Sequence, residues 1–513
     1  MKKTLLVSLL AATSGAALAK DVTILYTNDI HAHSEPFIAR YVDGERPVGG
    51  FANIAAWSAQ EKAANPASIF VDAGDYFSGP YLCSLTKGEA IIDIMNTMNY
   101  DVASIGNHEF DYGWDNMLVQ LAKADFELLL GNVFFENSDK PVWDKPYTII
   151  ERDGIRFGVI GLHGKFAFYD TVSAAQRQNL EARDEIEYLQ TYLDELRSQV
   201  DITIALMHQG TPARQSSEGT TDVRRALDKD IETAKQITGL DILVTGHAHV
   251  GTPEPIEVND TLIVSTDGYG INAGKLVLDF DEENRTIRGY EFELKTLWAD
   301  EWTPQPETQQ VIDKWKQNVE VIAEQKVIDT DEVLTRAYGQ SSPMGNISAD
   351  ATLFAFENAD IGFMNSGALR NDIEAGGVTL GDILSVFPFP NTAMAMDLTG
   401  NQLKDLMEHS AGLTNGVLQA SAGFEMRYDS SRTIGSRVVS MTLHGEAIEP
   451  EQSYRVVANN FIADGGDGFM TFVEGSNIEE RTDMMMTDLM AAYMRANREL
   501  PGKDEMRVLD LAE

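Results

Sequence analysis

The chain has 513 residues, too many for one compact core, so at least two domains are expected. Its 40 basic residues face 80 acidic ones, giving a formal net charge of −40 that argues against nucleic-acid polymers and anionic membranes as general partners. Cys83 is the single cysteine, which excludes an intrachain disulfide and leaves core burial and bound metal as the sources of stability.

Residues 1–19 read as a secretory leader, with basic Lys2 and Lys3, an apolar run Leu5–Leu10 and the small-residue cleavage site Ala17-Leu18-Ala19. No later apolar run is long enough to span a bilayer, so an exported, periplasmic protein without a stable membrane anchor is expected. No obligatory protein partner is evident. Val22–Tyr26 reads as a buried strand, 50–64 as a helix and Ser68–Val71 as the next strand. A helix near Gly88–Met98, a strand at Asp101–Ile105 and a helix near Gly113–Lys123 follow, and Asp153-Gly154 marks a hairpin. Ile202–Met207, Asp241–Thr245 and Leu262–Thr266 are further short strands. The alternation predicts an α/β sandwich with mixed sheets. The pattern weakens at 302–309 and resumes as a helix over about 308–325, which reads as a linker. The expected domains are 20–305, a linker helix 306–326, and 327–513.

Chemistry-bearing residues collect at the ends of these strands: Asp29-Ile30-His31, Asp75, Asn107-His108-Glu109, His208 and Gly246-His247-Ala248-His249. Five of the nine histidines fall in these segments, whereas each such residue alone would pass for a turn or cap. Asp29 and His31 are two apart, which puts both on one face of a strand. Carboxylate oxygen with imidazole nitrogen suits Zn, Mn, Fe or Co better than Ca. Two ions held side by side typically generate a metal-bound hydroxide that attacks phosphorus. His33 lies outside this pattern and is expected on the surface, while His163, His409 and His444 are expected to be structural.

The second half carries its own cluster. Met344-Gly345-Asn346 opens a helix; Asn365-Ser366-Gly367-Ala368-Leu369-Arg370, Phe387-Pro388-Phe389 and the glycine-rich 460–469 follow. Glycines let backbone approach a ligand, an arginine can fork to phosphate, two loop phenylalanines can sandwich a base, and an aspartate in a glycine turn can accept from ribose hydroxyls.

The order Asp-x-His, Gly-Asp, Gly-Asn-His-Glu, His, Gly-His-x-His resembles the calcineurin-like metallophosphoesterases. The wording of 25–31 and 106–111 narrows the resemblance to the secreted 5′-nucleotidases, which include periplasmic UDP-sugar hydrolases. The resemblance implies a four-layer αββα sandwich followed by a C-terminal α/β substrate-binding domain. It implies one divalent ion on Asp29, His31, Asp75 and His249 and a second on Asp75, Asn107, His208 and His247, with Zn, Mn, Co or Mg as candidates. His108 and Asp111 would form a catalytic dyad. Phe389 and Phe461 would stack on the base, Asp467 would hold the ribose, and Asn365 and Arg370 would contact substrate near the phosphate. Two departures stand out: Pro390 follows the stacking Phe where relatives carry Gly, and only Arg336 lies near where relatives carry an Arg before the Gly-Asn pair.

The expected activity is removal of the 5′-phosphate from nucleotides by a metal-bridging hydroxide. Nucleoside monophosphates are the first candidates; di- and triphosphates and UDP-sugars are further ones. The alternative is a 2′,3′-cyclic nucleotide phosphodiesterase with 3′-nucleotidase activity. Hydrolysis of a sulfur–sulfur ester on a carrier protein, another use of these motifs, would not need the phenylalanine pair. Metals in one half and base-binding residues in the other imply an interdomain cleft with open and closed forms.

Overall fold

The computed structural model describes residues 19–210, 226–413 and 416–512. The expected leader lies outside them apart from Ala19, which opens the strand Ala19–Thr27. That strand sits inside a six-stranded sheet in the order Thr286–Thr296, Asn272–Asp281, Ala19–Thr27, Ser68–Asp72, Val102–Ser104, Glu127–Leu129. A second six-stranded sheet runs Ile256–Val258, Thr261–Val264, Ile242–His247, Ile202–Gln209, Ile155–His163, Tyr147–Arg152. Both have parallel centres, and parallel strands are covered on both faces, hence their continuous apolar runs. The side-chain alternation splits each run between layers. Ile24 and Tyr26 meet Ile204 and Leu206 between the sheets. Leu25 points outward to the helix Phe51–Ala64, and Ala205 and Met207 point to the helix Glu185–Leu196 on the opposite side. The result is the expected αββα sandwich.

The hairpin turns at Asp153 (φ 48°) and Gly154 (φ 82°), the left-handed pair that a two-residue turn requires. Two strands run longer than their apolar cores predict. His208 and His247 belong to Ile202–Gln209 and Ile242–His247 because the parallel ladder continues through His208 opposite Gly246 and Gln209 opposite His247.

The helix Pro306–Ala323 does not span free space between two bodies. Ile312 and Val319 join the outer core of the first half, the Thr97 hydroxyl donates to Thr308, and the Trp315 indole N–H donates to Asp93 at 3.1 Å. Its last turn packs on Gly381 of the second half. There a five-stranded sheet runs Leu418–Ala420, Ile361–Asn365, Ser453–Asn459, Thr392–Thr399, Ser476–Met485. The helices Pro343–Leu353 and Met486–Ala496 cover one face, and Gly400–Gly412 covers the other. The second half is therefore α/β, as expected.

Asp230, fully buried on the helix Asp228–Gln236, ties the two long strands together by accepting from Gln209 Nε2 (2.9 Å) and Thr245 Oγ1 (2.7 Å). Burial pushes its carboxyl up to about 7 against these two hydrogen bonds. The folded chain thus holds this proton more tightly than the unfolded chain does. The stability it lends is complete below about pH 4 and is lost as pH rises through about 7. Asp230→Asn should remove that fall. Urea unfolding should find the variant more stable than the parent by roughly 1–3 kcal/mol at pH 8 and little different near pH 4. Parallel pH profiles for the two proteins would count against the assignment.

Candidate active site

The two sheets present the ends of their parallel strands at the same edge, where α/β folds gather ligand-binding residues. Asp29, His31, Asp75, His247 and His249 all have positive φ, between 41° and 76°. Non-glycine residues avoid this region, so the backbone carries strain at five of the seven expected ligands. Two glycines make the crowding workable. A Cβ on Gly106 would lie 2.2 Å from Asp75 Oδ1, and one on Gly246 would lie 2.8 Å from His208 Nδ1 and 3.1 Å from Asp29 Oδ2.

The expected ligands form two groups. Donor atoms of Asp29, His31, Asp75 and His249 all lie within 4.8 Å of one another, and so do those of Asp75, His208 and His247. Asn107 joins the second group through Oδ1, 2.9 Å from His247 Nδ1. Asp75 belongs to both. His31 Nδ1–H donates to Ser78 O at 2.9 Å and His208 Nδ1–H to Ala73 O at 2.8 Å, which turns the lone pair of each Nε2 into the site. There His31 Nε2 faces His249 Nε2 at 2.9 Å, nitrogen against nitrogen. His208 Nε2 and Asp75 Oδ2 lie 2.9 Å apart and are buried. Ligand atoms about 2.0–2.2 Å from a shared cation sit roughly 3 Å from each other, so the spacing fits bound metal. Burial presses His31, His247 and His249 below the ordinary imidazole range, which keeps them neutral donors. Burial opposes protonation of His208 too, but Asp75 and Asp29 outweigh it and push the ring up to about 10; a divalent cation would replace that proton.

His108 stands at the mouth, its Nδ1 bonded to Asp111 Oδ2 at 2.7 Å. Burial disfavours its charged form, yet Asp111 and Asp75 raise it above the ordinary value. Asp111 also accepts from the Ser78 hydroxyl. Arg370 reaches in from the second half, with Nη2 3.4 Å from His31 Nε2 and 3.5 Å from His108 Nε2. Its Nε is buried without a hydrogen-bond partner among the described residues. Phe389 stacks 5.6 Å from the His108 ring. Together they enclose a cavity of about 410 Å³ whose lining runs from Asp75, Asn107 and His108 to Asn365, Phe461 and Asp467. Both phenylalanines are half-buried, with one side in the core and the other in the cavity. Asn365 Nδ2 donates to Asp467 Oδ2 at 3.1 Å. Eleven of the fourteen expected site residues line this cleft, and Asp29, His31 and His208 lie buried behind it within the two ligand groups.

Three readings change. Asp29 and His31 do not share a strand face, because the strand ends at Thr27 and both residues take left-handed backbone in the loop beyond it. His33 is not on the surface; it is buried, bonded through Nδ1 to His31 O at 2.8 Å and packed against Phe37 and Tyr269. His409, expected to be structural, lines the cleft, where Nε2–H donates to Asp467 O at 2.9 Å. Arg336 does not line it. The guanidinium turns back to Leu369 O (2.9 Å) and Asp372, and Tyr338 takes the wall position. The sequence reading also passed over supporting residues. The Glu109 carboxylate accepts from the backbone N–H of Asp75, Tyr76, Phe77 and Gly106 at 2.7–3.0 Å, which shapes the Asp75 turn. Asn28 Nδ2 donates to Asp29 Oδ2 at 2.7 Å. Both stand inside quoted motifs, so adjacency was the available signal.

Residues 22–251 match the model of calcineurin-like phosphoesterases, and residues 321–474 match that of the 5′-nucleotidase C-terminal domain. The chain is 27% identical to the 5′-nucleotidase of Homo sapiens across 91% of this chain and 87% of that protein. It is 28% identical to the trifunctional nucleotide phosphoesterase protein YfkN of Bacillus subtilis across 90% of this chain, but it spans only 33% of that longer protein. The solved 5′-nucleotidase precursor of Thermus thermophilus superposes with a TM-score of 0.81 at 26% identity, covering 96% of this chain and 97% of that one. The sulfate thiohydrolase SoxB of the same species shares the fold alone, at 18% identity, a TM-score of 0.77 and coverage of 96% and 97%. A calcineurin-like phosphoesterase domain thus precedes a 5′-nucleotidase C-terminal domain. The chain carries the two domains of the 5′-nucleotidases it resembles and is a hydrolase, with residue groups able to hold metal.

His108 touches Asp111 and Arg370 and belongs to neither ligand group. His108→Ala should therefore keep its metal content while turnover falls by roughly 10²-fold or more, the usual scale for a charge-stabilising or acid–base group. Elemental analysis beside an activity assay checks this. Metal lost with the imidazole would make His108 a ligand.

Proposed function

We propose that this protein is a dinuclear 5′-nucleotidase that removes the 5′-phosphate from nucleoside monophosphates. The observation that carries this is the single cleft in which both ligand groups, His108 and Arg370 face Phe389, Phe461 and Asp467. Asp29, His31, Asp75 and His249 would hold one divalent ion and Asp75, Asn107, His208 and His247 the other. Bound there, the two ions supply Lewis acidity to the phosphoryl group and lower the pKa of the attacking water. Arg370 binds phosphoryl oxygens with a planar fork of donors. His108, oriented by Asp111, stabilises charge on the phosphoryl group or supplies a proton to the departing 5′-oxygen. Phe389 and Phe461 stack on the base, and Asp467, steadied by Asn365, accepts from the ribose hydroxyls.

Residues 20–305 form the catalytic unit, 306–326 the connecting helix and 327–513 the substrate-binding unit. An open counterpart of this cleft admits substrate, and closure excludes water and brings Arg370 over the metals. The leader-like start and snake-venom 5′-nucleotidases among the relatives support export, here to a periplasm. Activity on 2′,3′-cyclic nucleotides is a second reading, favoured by the trifunctional Bacillus relative.

Hydrolysis of AMP, UDP-glucose and 2′,3′-cyclic AMP with added Mg, Mn, Co or Zn separates these readings. AMP should turn over fastest, chelation should abolish turnover, and one of the four ions should restore it. Preferred cleavage of the cyclic ester would favour the alternative, and turnover indifferent to chelation would exclude a metal mechanism. Phe461→Ala should raise KM for nucleotides by roughly 5- to 150-fold, corresponding to the about 1–3 kcal/mol of one base–aromatic stack. The effect on p-nitrophenyl phosphate should be smaller; equal losses on both would mean that Phe461 serves folding, not the base.

A further inference from the structure

The cleft has a phosphate end and a nucleoside end, and the first half of the chain contributes to both. Phe389 lies between His108 and Arg370 on one side and the remaining cavity on the other. Farther in, a Cβ on Gly466 would meet the Phe461 ring at 2.5 Å, and one on Gly468 would meet the His409 ring at 3.1 Å. The turn Gly466–Gly468 thus bridges Phe461, Asp467 and His409. Against it packs the first-half helix Lys165–Thr171, and Asp170 of that helix lines the same cavity. Among the described residues Asp170 makes no hydrogen bond and no ion pair; His409 is the ionisable side chain that acts on it. Burial lifts its carboxyl above the ordinary range, and no hydrogen bond offsets the desolvation.

Resting on the nucleotidase reading above, we propose that Asp170 is a specificity-determining residue that reads the edge of the base and favours guanine. A carboxylate offers only acceptors, so it is best satisfied by two N–H donors side by side. Guanine presents such a pair, N1–H and the N2 amino group. Adenine and cytosine each set a ring-nitrogen acceptor beside their amino group and would turn a lone pair toward the carboxylate. The second half supplies the stacking surfaces, which accept every base. Asp170, from the first half, supplies the discrimination, and does so only when the cleft is closed around the nucleotide.

Competition between GMP and AMP in one reaction gives the ratio of their kcat/KM values whatever fraction of the enzyme is active. The wild type should prefer GMP by roughly 5- to 100-fold, the discrimination of one bidentate base contact. In Asp170→Asn the carboxamide offers one donor and one acceptor, so the ratio should fall to one or below. Asp170→Ala, which offers neither, should bring it close to one. No preference for GMP in the wild type, or a ratio that both variants leave unchanged, overturns the proposal. If p-nitrophenyl phosphate is cleaved but neither nucleotide is, the nucleotidase reading fails and this proposal falls with it.

Discussion

The Asp75 carboxylate is the constraint around which the molecule is arranged. Its oxygens lie within reach of His31, His108 and His208, and it is the one residue common to both ligand groups. It is essentially buried, and taking a charge out of water this far is tolerated only with opposite charge and hydrogen bonds around it. Those surroundings come from everywhere in the first half. His31 comes from the loop that follows the first sheet's strand Ala19–Thr27, His208 and His247 end strands of the second sheet, and Glu109 fixes the turn that aims the carboxylate. The two sheets must therefore end at one edge, and their shared apolar interior holds them there. The left-handed backbone at Asp29, His31, Asp75, His247 and His249 shows the local cost of crowding so many donors together.

The second half adds what the metal edge lacks. A cluster of carboxylates and imidazoles has no feature that recognises a nucleoside, and two half-buried phenylalanines have no means of breaking an ester. Arg370 joins them: it is buried, touches His31 and His108, and stands against Phe389. One cation from the second half thus offsets part of the negative charge that a −40 chain turns toward an anionic substrate. The helix Pro306–Ala323 sets the geometry of this meeting because it is docked on the first half and touches the second at Gly381. A flexible tether would leave the relative position of the two clusters to chance.

The layered fold was legible where burial imposes a simple period. Ile24, Leu25 and Tyr26 alternate between two cores, and the apolar run before each ligand announced its strand. The ligand set was legible because each member sits next to such a run. What failed was any statement about a residue whose surroundings come from far along the chain. His33 is buried by Tyr269, more than two hundred residues away, and no local pattern records that. Whether Arg336 stands in for the relatives' arginine was not legible in sequence; its guanidinium turns to the Leu369 carbonyl and leaves the wall to Tyr338. His409 has no motif around it and lines the cleft because Asp467 folds back onto it.

The sequence by itself determined the element types, the two clusters of chemistry and the family they resemble, because side-chain period and strand-end residues are local properties. Tertiary structure alone decided which ring nitrogen His31 and His208 turn inward and that the Arg370 guanidinium crosses to His31 and His108 of the other half. It also decided that Asp170 and His409 face the same cavity. Each of these depends on the distance between atoms far apart in the chain, and that distance is set only when the sheets pack and the two halves close on each other.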